Sequence, residues 1–191
     1  MTSLALLLWQ TNRSSALAEF EEVHKLVGKS GSRTTHARQQ INQAFVLMLS
    51  GQFQGFCRDL HSECVDHLAG VVQPAVMRSF LRSKLLDDRK LSKGNANPSA
   101  LGSDFGRFGL QFWDSLKAHD PKLSDHQIAL ESMNEWRNRI AHQNFEQTGG
   151  FAPLLRHSKI KEWKRSCDHL AVAIDAVMTQ HLTTATGIQP R

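Results

Sequence analysis

Tyrosine is absent from this 191-residue chain, and cysteine occurs only three times. Cys57, Cys64 and Cys167 are too few, and odd in number, for a disulfide framework. They fit a reducing compartment, so a cytoplasmic protein is expected. Long apolar runs are lacking too. The longest, residues 4–9, has six residues, against the ~20 that a membrane span needs. It has no basic flank before it and no small-residue cleavage site after it, so neither a secretory signal nor a membrane partner is expected. No apolar–polar alternation exceeds four residues and no Asn-Gly or Asp-Gly pair occurs, which excludes a hairpin-built fold. An RNA-stacking motif of the aromatic β-sheet kind is likewise missing.

What is present is positive charge and helical spacing. Lys+Arg minus Asp+Glu is 23 − 18 = +5, with ten histidines besides. That balance fits a polyanionic partner and equally a solvated basic surface. Leu17, Phe20, Val23 and Val27 recur at threes and fours, giving a first helix over Ser14–Val27. Residues 28–34, "GKSGSRT", read as a loop. The pattern then runs from 35 to 69 through Ile41, Phe45, Met48, Leu49, Phe53, Phe56, Leu60, Cys64 and Leu68, as one long helix. Pro74 opens a helix expected over 74–91, with Met77, Phe80, Leu81 and Leu85 inward. "SKGNANPSALGS", 92–103, reads as a long loop, and 104–118 as a helix with an aromatic face. Ser124 or Asp125 caps the next helix, which "QNFEQTGGFAP" ends. The last helix spans 157–184, where Ile160, Trp163, Cys167, Leu170, Ile174 and Val177 form a narrow seam. The expected architecture is an all-α bundle of about five or six helices in one domain over 1–191. Its core covers about 14–182, with 1–13 and 185–191 peripheral.

One stretch combines this spacing with chemistry: "EWRNRIAHQNF", 135–145. Ala129, Met133, Trp136 and Ile140 make an apolar stripe. Asn138 stands i,i+4 from His142 on another face, flanked by Glu135 and Arg139, which are spaced to pair. Arg137 falls about 140° from His142, at the edge of the stripe. It either snorkels along apolar surface or is held in a partly buried groove. A solvated helix end accounts for Arg139 and His142 through the macrodipole alone. The same set also suits attack by an RNA 2′-hydroxyl on its neighbouring phosphate. Imidazole, with an ordinary pKa of about 6.5, moves protons near neutrality. Arginine forks onto phosphate, and an amide orients base or phosphate. Such a reaction wants an acid and a base, which a two-fold dimer with adjacent motifs would supply.

The hexapeptide Arg137-Asn138-Arg139-Ile140-Ala141-His142 resembles the R-(polar)-x3-H signature of HEPN domains, and "AFVLMLSGQFQGFCRDL", 44–60, resembles a segment of their RiboL-PSP-type branch. The resemblance covers about 14–182, with the hexapeptide its specific part. It implies a helical fold and a metal-independent, cofactor-free endoribonuclease acting as a homodimer and leaving 2′,3′-cyclic phosphate ends. It further implies a toxin or phage-defence role, held in check by an antitoxin, a partner domain or a trigger. By it, Arg137 and His142 are catalytic and Asn138 supports them. It also implies an acidic residue where "GQFQGF" has Gln54. The alternative is a non-catalytic HEPN module that binds RNA, nucleotide or protein. A third is a helical adaptor whose partner surface is the Ile160–Val177 seam.

Arg139 and the basic start of the last helix (Lys159, Lys161, Lys164 and Arg165, after Arg156) are candidate RNA contacts, although such a run is more often a solvated face. Cys57, His61, Cys64 and His67 spread over about 15 Å of helix and cannot surround one tetrahedral ion. They read as core cysteines and surface histidines. "GKSGS" lacks the spacing of a phosphate loop.

Overall fold

The computed structural model describes residues 2–27, 33–144 and 154–190, with backbone alone at 33–35. Among these residues there is no strand. The helices are α1 (Leu4–Leu8), a π-helical segment Trp9–Arg13, α2 (Ser14–Val27), α3 (Arg33–Gly70) and α4 (Ala75–Leu86). After them come α5 (Lys90–Lys93), α6 (Pro98–Gly106), α7 (Phe112–His119), α8 (Leu123–Ala141) and α9 (His157–Thr186). None is long and apolar enough to cross a membrane.

α3 is the axis. Its 38 residues extend about 57 Å at 1.5 Å per residue. Phe45, Val46, Leu49, Phe53, Phe56, Cys57, Leu60 and Cys64 are buried along it. It packs against α1, α2, α4, α5, α8 and α9. α8 and α9 run antiparallel beside it: Trp136 meets Trp163 with ring centroids 6.4 Å apart, and Met133 Sδ lies 3.9 Å from Cys167 Sγ. The end of α8 and the start of α9 therefore share one end of the molecule. The side chains of Gln39 and Asn42 on α3 fix that start. Both donate to the Leu155 carbonyl, at 3.1 and 2.8 Å, and Gln39 Oε1 accepts the Leu155 N–H at 3.0 Å.

Several expectations need correction. The N-terminal residues are not peripheral: Ala5, Leu6 and Trp9 are buried in the core, and Trp9 Nε1 donates to Asp168 at 3.1 Å. The Ile160–Val177 seam is core as well, so it is not a free partner surface. The helix expected over 74–91 stops at Leu86. Its Met77 and Phe80 are 50% and 56% exposed. α4 leans on α3, and a helix resting on one neighbour buries a narrow stripe, here Leu81 and Leu85. Only 94–97 of the expected 92–103 loop lies outside a helix. Asn97 Oδ1 accepts the Ala100 N–H at 2.8 Å and Pro98 takes the first helical position, so α6 begins there. The 104–118 helix is two helices, parted by a turn in which Gly109 has φ +86°. Neither Ser124 nor Asp125 caps α8; Lys122 precedes its first residue. The "GKSGSRT" loop lies outside the described residues up to 32, as does "QNFEQTGGFAP" from 145.

A buried polar network ties α3 to the short helices. Asp104, with no exposed surface, accepts the backbone N–H groups of Lys90 (3.1 Å) and Leu91 (2.8 Å) at the start of α5. His61, also fully buried and not the surface histidine expected, lies 3.2 Å through Nε2 from the Asp104 carbonyl. Arg89 Nη1 lies 3.5 Å from His61 Nδ1 and donates to the Arg58 carbonyl at 3.1 Å. Nδ1 facing a guanidinium is an acceptor, so the ring is the neutral tautomer with its proton on Nε2. Burial, and then the Arg89 charge, push the His61 pKa down to about 4. The unfolded chain therefore binds more protons than the folded one between pH ~6.5 and ~4. Stability contributed by neutral His61 is complete above that range and falls as pH drops through it, by up to about 3 kcal/mol. Urea denaturation across that range should show this slope, and a His61→Gln protein should have a flatter one; equal slopes would contradict the assignment.

Candidate functional site

α8 buries Leu123, Leu130, Met133 and Ile140, with Ala129 and Trp136 packed at the margin. This fixes the helix's rotation, and the expected stripe is the inner face. Asn138 and His142 are exposed, and Arg137 is half-buried at the stripe's edge. The helix ends in a defined way. The His142 N–H returns to the Asn138 carbonyl at 3.0 Å, Gln143 N–H to Ile140 at 3.3 Å, and Asn144 N–H to Arg139 at 3.0 Å. Gln143 takes φ +51°. This is the Schellman pattern, with glutamine at the left-handed position that glycine usually fills. His142 is therefore held on the final turn, i,i+4 from Asn138 as the spacing predicts.

The polar set is organised around one oxygen. Asn138 Oδ1 accepts from Arg137 Nη1 at 3.2 Å and from Asn95 Nδ2 at 2.7 Å. Two donors on the oxygen assign the amide's orientation, and among the described residues its NH2 group is left available on the exposed side. The motif thus presents donors outward: the remaining guanidinium N–H groups and the Asn138 amide N–H. An arrangement of this kind suits an anionic oxygen.

Asn95 escaped the sequence reading. It belongs to the 94–97 loop, which docks on α8 twice. Asn134, one turn before Asn138, donates to the Ala96 carbonyl at 3.2 Å, and Asn95 holds Asn138. The Asn134/Asn138 spacing is a signal in the sequence; its counterpart in a Gly-Asn-Ala-Asn stretch is not.

The other expected residues are placed as follows. Arg139 is half-buried. Among the described residues no ion pair within 4.0 Å joins it to Glu135. On α9, Lys159 pairs with Glu162 (3.0 Å), Lys161 with Glu21 (3.8 Å) and Lys164 with Asp168 (3.1 Å), while Arg165 is exposed. The three cysteines are free and buried, and burial pushes their thiols up. Among the described residues no group of three or more His, Cys, Asp or Glu could hold a metal.

A family model described as RiboL-PSP-HEPN matches residues 11–180. The chain belongs to this family. No curated protein and no solved structure matches it.

In this RiboL-PSP-HEPN chain Gln54 has a task that an acidic residue could not perform. Its Nε2 donates to the Leu91 carbonyl at 2.9 Å and to the Gly94 carbonyl. It is bonded to the loop that carries Asn95, and its amide supplies both protons. A carboxylate has none to give. Gln54→Glu should therefore cost about 1–3 kcal/mol at neutral pH, seen as a melting temperature lower by several degrees. Part of the loss should return in acid, where a protonated glutamate regains one donor. An unchanged melting temperature at pH 7 would remove Gln54 from this role.

Proposed function

We propose that the chain is a metal-independent endoribonuclease that uses no cofactor and cuts RNA by internal attack of a 2′-hydroxyl. The observation that carries this is the placement of Arg137, Asn138 and His142 together on the exposed final turns of α8, with Asn138 Oδ1 held by two donors. Membership of the family supports it. Arg137 clamps the scissile phosphate through its free guanidinium edge. Asn138 donates to a phosphate oxygen. His142 takes the proton from the 2′-hydroxyl, the 2′-oxygen attacks phosphorus, and the 5′-oxygen leaves as an alcohol once protonated. The products are a 2′,3′-cyclic phosphate and a 5′-hydroxyl. One motif holds one histidine, so a homodimer with facing motifs supplies the second proton-transfer group. Arg139, Arg165 and the α9 lysines give RNA a cationic approach once their surface pairs are exchanged. Uncontrolled cleavage of RNA is toxic, which fits a toxin or phage-defence effector restrained by an antitoxin or another regulatory partner.

The purified chain should cleave bulk RNA in EDTA and leave cyclic phosphate ends. Arg137→Ala and His142→Ala should each lower the rate at least a hundredfold. Their melting temperatures should stay within a few degrees of wild type, because His142 is exposed and Arg137 lies outside the core at the stripe's edge. Loss of cleavage in EDTA with recovery in added metal would contradict the mechanism, as would cleavage that survives both substitutions.

A further inference from the structure

The loop that fixes Asn138 also shapes an open groove beside it. Lys90, Lys93, Asn95, Asn97 and Ser99 line this groove between α5 and the start of α6. Asn95 belongs to both places: it faces the groove and its Nδ2 touches Asn138 at 2.7 Å. The groove therefore adjoins the motif through Asn95. Its lining carries two ammonium groups and no carboxylate.

The ion pairs separate it from the other basic surface. On α9, Lys159, Lys161 and Lys164 each face a carboxylate of this chain. Among the described residues Lys90 has no ion-pair partner. Lys93 meets Asp88 at 2.5 Å, with the two side chains 68% and 84% exposed. An exposed pair of this kind contributes little and is readily exchanged for a phosphate. RNA is a continuous row of phosphates, so a strand whose scissile phosphate sits at Arg137 must carry its neighbours across whatever adjoins the motif.

We propose that this groove is the RNA subsite flanking the cut, and that Lys90 and Lys93 neutralise the phosphates next to the scissile one. The assignment rests on the endoribonuclease reading and names the surface on which its substrate lies. Asn95 is a positioning residue in it, joining the groove to the amide that faces the reacting phosphate.

The test is binding of a fully 2′-O-methylated oligoribonucleotide, which lacks the attacking hydroxyl, followed by anisotropy as salt is raised. Each phosphate contact to a single strand contributes about 0.7 to the slope of log K against log salt, so Lys90→Ala/Lys93→Ala should reduce the slope by about 1.4. Lys90→Arg/Lys93→Arg should restore it. Lys117→Ala/Lys122→Ala removes the same charge near the other end of α8 and should leave it unchanged. If the wild-type chain binds but the groove variant keeps its slope, or matches the control, the groove is overturned while the endoribonuclease reading stands. If the wild-type chain has no salt-dependent affinity for RNA, the reading falls and the groove with it.

Discussion

The buried carboxylate of Asp104 is the constraint on which the site depends. It accepts the N–H groups of Lys90 and Leu91 with none of its own surface exposed. α5 has four residues, too few to form a stable helix unaided, because the nucleus costs more than so few bonds return. Asp104 caps it from α6, and Gln54 holds its far end from α3. Between these anchors the chain has little freedom, and Gly94 leads directly into Asn95. From there one hydrogen bond reaches Asn138, whose Oδ1 also accepts from Arg137. Core polarity and surface chemistry are thus joined by a short run of named contacts.

This arrangement uses neutral amides where charged groups would be expected. Gln54, Asn95, Asn134 and Asn138 each donate an amide N–H to an oxygen or accept on one. Among the described residues no carboxylate pairs with Arg137, whose hydrogen bond runs to Asn138. Its positive charge is therefore available to a phosphate. A carboxylate at Gln54 would forfeit both loop contacts. Gln54 therefore fits the two carbonyls of the α5–α6 loop that it meets.

The long elements were legible in the sequence because their periodicity is strong. Residues 35–69 emerge as α3, and the Ile160–Val177 spacing as the inner face of α9. The outward placing of Asn138 and His142, and of Arg137 at the stripe's edge, followed from the Met133–Ile140 stripe. What was not legible has physical reasons. Trp9 is a short apolar run's last residue, and its burial depends on α3 and α9 folding around it. Gly, Asn, Pro and Ser dominate 92–103 and hide the start of α6, which Asn97 caps. Asn95 and Asn138 lie 43 residues apart, and no local pattern announces a contact at that separation. The Ile160–Val177 seam is suited to helix–helix packing by its spacing, but spacing does not say which helices cover it; the bundle itself does, and the adaptor alternative loses its surface.

The chemistry assigned to the motif has one requirement that no binding module shares, a free 2′-hydroxyl beside the bond that breaks. An oligoribonucleotide cut by the chain at one position should be remade with a single 2′-deoxy sugar at the nucleotide on the 5′ side of that bond. The account predicts that cleavage there disappears while affinity is retained. Cleavage at the same bond without the hydroxyl would contradict internal attack, and with it the roles given to Arg137, Asn138 and His142.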